Sequence, residues 1–434
     1  MEKIAGIGGK AHLYTHPAAT DEEAEHDVYV HEEEEQRIGL NDDDGEYVLE
    51  VHHDKRHVSS AKSATFNLVN NIIGGGVLAL PFALRSSGMI VGSVLLTTVG
   101  LLCVYSCYLL LEASKYVEEK SYTGLARAVG GKGGAIFADL CNFMFLFGAL
   151  TGYMIVIGDV LLPFTEWLGP LHHRWFVVGI IATVIVLPLC LLRKIGALAY
   201  TSLAALACIV YLVFLVAFRS IQNIAEEGLE KSEDELSLAN FAPDIFRSLP
   251  IMSFAFTFHP NIFPIFSEMR NPTMSRMRAV VHAAVLVSGL AYLIVGVFGY
   301  LTFLEETEGN IFNNYDDDIL VARIAVDSIV LEVSPNKVPD ISIRYIVITA
   351  CIVALSYLLS IVIPDISFVF GIIGATAGNL IVYTGPGVFY MKLAPGRYTS
   401  PRKIGAAILA AVGLVFGVIS VLVISIDEIK QLVD

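Results

Sequence analysis

The segment "NNIIGGGVLALPF", residues 70–82, decides the fold. It places two asparagines, three consecutive glycines and a proline in a run that is otherwise apolar enough to cross a membrane. Each glycine costs roughly 1 kcal/mol relative to alanine in a helix interior, so the triplet Gly74 to Gly76 predicts a break. Within a bilayer, a break is tolerated only where protein or a water-filled cavity surrounds it. Close helix packing is the alternative explanation for a glycine run.

The rest of the chain has the composition of a polytopic membrane protein. Of its 434 residues, 55% are hydrophobic and 16% are charged, whereas globular domains carry about 25% charged residues. Ten uncharged runs are long enough to span a bilayer. They are Ser63–Leu84, Ile90–Leu111, Leu140–Gly158, Trp175–Leu192, Ile195–Phe218, Ser248–Ser267, Ala279–Leu304, Tyr345–Pro364, Ile366–Met391 and Ile404–Ile426.

The segment Ile319–Val333 is the doubtful eleventh span, because it is short and charged. If it crosses and the N-terminus is cytosolic, fifteen Lys and Arg residues lie in cytosolic loops and six on the other side. That distribution agrees with the positive-inside rule. If it does not cross, the basic loop "KLAPGRYTSPRK" is translocated. We therefore expect it to cross, with Arg323 and Asp327 paired on one helix face.

The two ends of the chain differ from this membrane region, residues 60–426. Residues 1–59 hold 16 Asp and Glu against 5 Lys and Arg, which predicts a disordered, acidic, cytosolic tail. The tail lacks the basic start and early apolar core of a signal peptide, so the first span is expected to direct insertion. Residues 427–434 form a short C-terminal tail.

A second interruption occurs in the sixth span, "SLPIMSFAFTFHPNIFPIFSEM", residues 248–269. Pro260 removes a backbone hydrogen bond and disfavours helical geometry at His259. Two interrupted spans, five spans apart, are typical of an inverted-repeat transporter with its substrate between the breaks. Spans one to five and six to ten form the two repeats in this interpretation, and the eleventh is appended.

The breaks themselves predict the substrate site. A half-helix that begins near Val77 presents free N–H groups and partial positive charge, which suit a carboxylate. This assigns Gly74, Gly75, Gly76 and Val77 to substrate binding. Carbonyls freed around Phe256, Thr257 and Phe258, with the Thr257 hydroxyl, offer acceptors to an ammonium. A small zwitterion satisfies both ends, so the expected substrate is an amino acid.

Two residues beside the breaks are candidates for ion coupling. Asn70 carries a neutral oxygen that suits a monovalent cation, or it braces the break. His259 is of a residue type that titrates near physiological pH, or it caps freed carbonyls. Carboxylates near span ends can also relay protons but more often reach the interface; they are Asp139, Asp159, Glu268 and Asp365.

Other kinds of site are not predicted. All six cysteines fall in apolar segments, so no structural disulfide is expected. "EVHHDKRH" holds His53 and His57, but this interpretation treats it as a solvated basic flank, and no metal site is predicted. The sequence contains no arrangement typical of an intramembrane enzyme, no cofactor other than a co-transported H⁺ or Na⁺ is expected, and no nucleic-acid partner is predicted.

Eight motifs follow one another along the chain: "FNLVNNIIGGGVLALPFA", "SYTGLARAVGG", "IVIGDVL", "LPLCLLRKIGALAYTSL", "SFAFTFHPNIFPIFSEM", "YLIVGVFGYLTF", "ILVARIAV" and "PDISFVFGIIGATAG". Together they resemble the amino acid/auxin permease family, which includes sodium-coupled neutral and vacuolar amino acid transporters. The resemblance implies eleven helices, a leucine-transporter-type inverted repeat, and secondary active amino acid transport. By position, Asn70 matches the asparagine of the sodium site in sodium-coupled members, and Gly74 to Gly76 match the substrate-binding break.

The sequence differs from the family pattern after "ILVARIAV". There the segment "DSIVLEVSPNKVPDIS" runs almost directly into the ninth span, and the remainder of a family eighth helix is missing. Because that helix supplies a hydroxyl partner for the cation in the family, the sodium site cannot be carried over complete.

These observations predict an all-α transporter of neutral amino acids that works by alternating access, as a symporter or antiporter. H⁺ is preferred to Na⁺ as the coupling ion. The alternative is an amino acid sensor that binds a cytosolic protein through residues 1–59 and transports weakly or not at all. Both functions place the chain in the plasma membrane or in a vacuolar or lysosomal membrane.

Overall fold

The structure, a computed structural model, describes residues 28–32, 34–40, 47–50, 59–117, 120–191, 198–227, 236–241, 243–270, 272–315 and 343–433. The chain divides into two compact units, residues 1–59 and 60–434. The predicted span Ile319–Val333, with its Arg323–Asp327 pair, lies outside the described residues, as do His53 and His57.

The first unit contains an antiparallel three-stranded sheet of order β1-β2-β3. Its strands are β1 (Val28–Glu32), β2 (Glu34–Leu40) and β3 (Tyr47–Glu50). The sequence predicts disorder for all of residues 1–59 and an all-α chain, so these strands differ from the prediction. Although residues 1–59 are acidic overall, short segments such as "VYV" and "YVLE" contain the β-branched and aromatic residues that favour strands.

The second unit is helical. Its first half contains α1 (Ala61–Ile72), α2 (Leu80–Ser87), α3 (Met89–Ala113), α4 (Tyr122–Leu161), α5 (Arg174–Ile181), α6 (Leu187–Cys190) and α7 (Leu198–Glu227). Its second half contains α8 (Ile245–Ala255), α9 (Ile262–Glu268), α10 (Met274–Phe303), α11 (Ile343–Val362), α12 (Ile366–Ile373), α13 (Gly385–Leu393) and α14 (Pro401–Val433).

Short segments of other helix types join these elements. Segments of 3-10 helix cover Gly75–Ala79, Ser114–Tyr116, Pro163–Leu171, His259–Asn261, Leu304–Glu306 and Ile311–Asn314. Wider π-helical turns cover Ala182–Val186, Gly374–Gly378 and Leu380–Thr384. Between α2 and α3, Gly88 has φ of 80°, a conformation that L side chains rarely adopt.

By length and composition, the described residues contain seven helices able to cross a membrane, or eight when the bent pair of Ala61–Ile72 and Gly75–Ser87 counts as one span. Two shorter apolar helices, Arg174–Cys190 and Ile346–Val362, coincide with two further predicted spans. The prediction of a polytopic helical membrane protein is therefore confirmed. The eleven-helix count and the inverted repeat remain predictions.

The two broken spans lie inside the bundle rather than at its edge. In the second broken span, Ile245–Glu268, 78% of the residues in its apolar 18-residue stretch are buried. The corresponding share in Ile209–Glu226 is 22%. Around it pack α2, α3, α12 and α14. Irregular backbone at membrane depth requires such an environment, because lipid offers no hydrogen-bond partners.

Candidate functional site

The first span is interrupted where the glycines predict. Helix α1 ends at Ile72, the backbone of Ile73 and Gly74 is extended, and a 3-10 turn runs from Gly75 to Ala79. The two helical halves meet at an angle of 49°. The predicted break at Gly74 to Gly76 is confirmed, although the second half starts at Gly75 rather than near Val77.

The sixth predicted span is interrupted at the second expected place. Helix α8 ends at Ala255, Phe256 to Phe258 leave helical geometry, and a 3-10 turn covers His259–Asn261 before α9 begins. Pro260 occupies the second position of that turn, where a missing N–H costs little.

The two breaks lie against each other. A Cβ atom built on Gly76 would lie only 3.0 Å from the Cα and Cβ atoms of Ala255. Because real Cβ contacts at 3.0 Å are rare, glycine at position 76 is what permits the two backbones to approach this closely.

A tyrosine on a third helix holds the breaks together. The hydroxyl of Tyr292, on α10, donates to the carbonyl oxygen of Ile72 at 2.6 Å and lies 2.9 Å from that of Ala255. The single hydroxyl proton is therefore shared between the carbonyls of Ile72 and Ala255, the last residues of α1 and α8. Tyr292 is fully buried, so its hydroxyl replaces partners that water would otherwise have to supply.

Aromatic side chains cover the glycine break. A Cβ atom built on Gly74 would lie 2.8 Å from the hydroxyl oxygen of Tyr153 on α4, and one built on Gly75 would lie 2.8 Å from a Tyr153 ring carbon. Gly75 also faces Phe370 of α12, whose ring stacks on that of Phe254 at 4.0 Å between centroids. A substrate must displace or share this aromatic cover to contact the glycine backbone.

Backbone donors remain available at the glycines. The sequence predicts a free N–H donor near Val77. In the structure, however, the N–H of Val77 donates to the carbonyl of Gly74 at 3.2 Å, so this donor is occupied. Among the described residues, no acceptor pairs with the amides of Gly75 and Gly76. These two amides are the donors that a carboxylate would find at this break.

The acceptors expected at the second break are mostly occupied. The Phe256 carbonyl lies 3.2 Å from the thiol of Cys103, and the Phe258 carbonyl accepts from the N–H of Asn261. The hydroxyl of Thr257 donates to the carbonyl of Ser253 at 2.7 Å. Its lone pairs, together with the Thr257 carbonyl, are therefore the acceptors that an ammonium would find here.

The two candidate ion-coupling residues lie in different surroundings. His259 is fully buried, and its Nε2 atom lies 3.1 Å from Ser106 Oγ and 3.3 Å from Cys107 Sγ, both on α3. Asn70 lies partly exposed in the last turn of α1. Next to it, Asn71 Oδ1 accepts from Asn261 Nδ2 at 2.8 Å, which joins the ends of the two breaks.

The span-end carboxylates of Asp139, Asp159 and Asp365 have polar partners in the structure. Asp159 is an ion-pair partner of Arg174 and accepts from Asn310 Nδ2 at 2.8 Å. Asp365 caps α12 by accepting from the amide of Ser367, and Asp139 accepts from Thr123. Each of these three carboxylates thus has a polar partner in the structure.

The sequence reasoning missed the residues that join the breaks to their neighbours. Tyr292 and Tyr153 carry hydroxyl groups within apolar spans, and a buried tyrosine hydroxyl usually has a hydrogen-bond partner. That signal could have marked them as polar groups inside the bundle. Which carbonyls or glycines they meet depends on helix packing and is not encoded locally.

Comparisons with known proteins show which family the chain resembles over most of its length. A family model described as transmembrane amino acid transporter protein matches residues 57–334 and 327–429. Sodium-coupled neutral amino acid transporter 4 of Pongo abelii is 28% identical over 495 residues, covering 91% of this chain and 90% of the relative. The Homo sapiens and Rattus norvegicus proteins of that name are 28% and 27% identical, with the same coverage. The aligned length exceeds the 434 residues of this chain, so the relatives carry insertions relative to it.

Proposed function

Because the chain belongs to the transmembrane amino acid transporter family, we propose that it carries neutral amino acids across a membrane by alternating access, driven by a gradient of Na⁺ or H⁺. The observation that carries the proposal is the contact between two interrupted spans, with free amides on one and free oxygen acceptors on the other. An α-amino acid has one group of each complementary kind.

The carboxylate is assigned to the amides of Gly75 and Gly76. Backbone N–H groups at the start of a helical segment bind anions because they carry unsatisfied donors and partial positive charge. The ammonium is assigned to the Thr257 carbonyl and hydroxyl oxygen atoms. No acidic or basic side chain is part of this arrangement, which favours a substrate whose own side chain is neutral.

Alternating access requires that the halves of the two spans move. The contact between Asn71 and Asn261 closes one end of the breaks, and both side chains are exposed. The aromatic cover formed by Tyr153 and Phe370 lies directly over the glycines. We assign the asparagine pair to a gate and the aromatic cover to a lid that rearranges when substrate enters.

The coupling ion is proposed from two sources. The relatives that the chain matches are named as sodium-coupled, and Asn70 offers a neutral oxygen to Na⁺ beside the first break. His259 offers an alternative route through a proton. Uptake under separate gradients distinguishes these two routes.

The test is uptake of labelled alanine, leucine and glutamine, with glutamate and lysine as charged comparisons, into liposomes that contain the purified full-length protein. Uptake is measured with an inward Na⁺ gradient, an inward H⁺ gradient, or neither. We expect neutral amino acids to accumulate under one of the gradients. Uptake of every amino acid that stays at the level of protein-free liposomes under both gradients would contradict the proposal.

A further inference from the structure

Two thiols and an imidazole meet beside the second break. Cys103 and Cys107 lie four residues apart on one face of α3, and His259 begins the 3-10 turn of the broken span. All three side chains are fully buried, and their potential ligand atoms lie within 4.8 Å of one another. Within the part of the chain that the structure describes, this is the one group of three or more His, Cys, Asp or Glu side chains at such spacing.

The spacing and the donor types fit a tetrahedral zinc ion. Zinc lies about 2.3 Å from thiolate sulfur and about 2.0 to 2.1 Å from imidazole nitrogen, which places neighbouring donors about 3.5 to 3.8 Å apart. The distance from Cys107 Sγ to His259 Nε2 is 3.3 Å, so a small outward movement accommodates the ion. A set of two sulfur atoms and one nitrogen without a carboxylate does not suit Mg²⁺ or Ca²⁺.

Oxygen atoms beside the cluster offer a fourth ligand. Ser106 Oγ lies 3.1 Å from His259 Nε2, and the Phe256 carbonyl oxygen lies 3.2 Å from Cys103 Sγ. The second imidazole nitrogen, His259 Nδ1, is buried and has no hydrogen-bond partner among the described residues.

We infer that Cys103, Cys107 and His259 form a binding site for Zn²⁺ or a chemically similar soft divalent cation. The helical bundle then binds a second type of ligand besides the transported amino acid. Cys141 on α4 shows the contrasting case of a buried cysteine outside such a cluster, which behaves as a small apolar side chain.

Binding has two physical consequences. Zinc coordinates thiolate, so each bound ion releases up to two protons, one from each thiol, and binding weakens as the pH falls. The ion also ties α3 to the turn His259–Asn261. A transporter in which this turn must move is then held in one conformation, and zinc is expected to slow its flux.

The test measures zinc on the purified full-length protein, freed of metal with a chelator, equilibrated with Zn²⁺ and passed over a desalting column. We expect one bound zinc per chain, with an X-ray absorption spectrum that shows two sulfur neighbours. The variants Cys103→Ala, Cys107→Ala and His259→Gln should each weaken binding by more than about tenfold, since even outer-shell changes cost 10-fold to 100-fold. Cys141→Ala is the matched control and should bind as the unchanged protein does.

Thermal unfolding without metal establishes whether each variant is folded. If the other two variants do not fold, the loss of zinc binding in Cys107→Ala is sufficient to test the site. A wild-type protein that retains no zinc, a spectrum without sulfur neighbours, or binding that survives Cys107→Ala would overturn the inference. These measurements of zinc binding do not depend on transport. A protein that does not transport amino acids can still bind zinc, and a protein that transports them can fail to bind it, so the two proposals are tested separately.

Discussion

The hydroxyl oxygen of Tyr292 lies 2.6 Å from the carbonyl oxygen of Ile72, at the residue where the first half of the first span ends. The same hydroxyl lies 2.9 Å from the carbonyl of Ala255, where the first half of the other broken span ends. One side chain therefore satisfies the ends of both breaks. A pair of interruptions is stable inside the bundle because a third helix supplies the hydrogen bond that each helix has lost.

The first prediction concerns this shared hydroxyl. Tyr292→Phe removes the donor and leaves buried carbonyls at Ile72 and Ala255 unsatisfied, at a cost of about 1 to 3 kcal/mol. We expect a lower thermal midpoint and weaker substrate binding. Tyr211→Phe, at an exposed position on α7, is the matched control. An unchanged midpoint in Tyr292→Phe would contradict the bridging role.

The second prediction tests the contact between the two breaks. Gly76→Ala places a Cβ atom 3.0 Å from the backbone of Ala255, which cannot rotate away as a side chain can. Overpacking of this kind costs about 1 to 3 kcal/mol, and we expect transport to fall at least tenfold. The matched control is Gly289→Ala, where the new Cβ lies 3.8 Å from a Phe256 ring atom, an ordinary van der Waals contact. Equal activity of the two variants would show that the breaks need not touch.

The third prediction tests the aromatic cover over the glycines. In Gly74→Ala the new Cβ lies 2.8 Å from the Tyr153 hydroxyl oxygen, which belongs to a flexible side chain. Tyr153→Phe removes that oxygen, so the double variant should recover part of the substrate affinity lost in Gly74→Ala. Neighbouring residues show such coupling at about 0.5 to 3 kcal/mol. Additive losses in the double variant would mean that the two positions act independently.

The fourth prediction separates a buried ion pair from an exposed one. The side chain of Asp159 is 6% exposed and pairs with Arg174, whereas Glu305, which pairs with Arg85, is 57% exposed. Asp159→Asn leaves the Arg174 guanidinium without its counter-charge and should destabilise the protein by about 3 to 5 kcal/mol. Glu305→Gln should change stability by about 0 to 1 kcal/mol. Thermal unfolding of both variants checks the difference, and equal midpoints would remove the structural role of Asp159.

The positions of the breaks could be predicted from the sequence because their causes are local. Three glycines at 74–76 lower helix propensity wherever they occur, and Pro260 removes one hydrogen bond regardless of the surrounding fold. The amides of Gly75 and Gly76 follow from the same local reasoning. The carbonyls of Phe256 and Phe258 do not, because their partners come from another helix or from the following turn.

Features that depend on distant residues could not be predicted. Tyr292 meets Ile72 across 220 residues of chain, and Cys107 meets His259 across 152. Neither distance is set by a local pattern. The strands between residues 28 and 50 were missed for a different reason: the acidic composition of the tail was given more weight than its short apolar runs.

Counterflow tests alternating access by the two broken spans most directly, because it does not depend on which ion is coupled. Liposomes that contain the full-length protein are loaded with unlabelled glutamine and diluted into a trace of labelled glutamine, without an ion gradient, once with Na⁺ on both sides and once without. We expect transient accumulation of label in at least one condition, strongly reduced in Gly76→Ala and retained in Gly289→Ala. Label that never exceeds the level in protein-free liposomes, for glutamine, alanine and leucine alike, would contradict it.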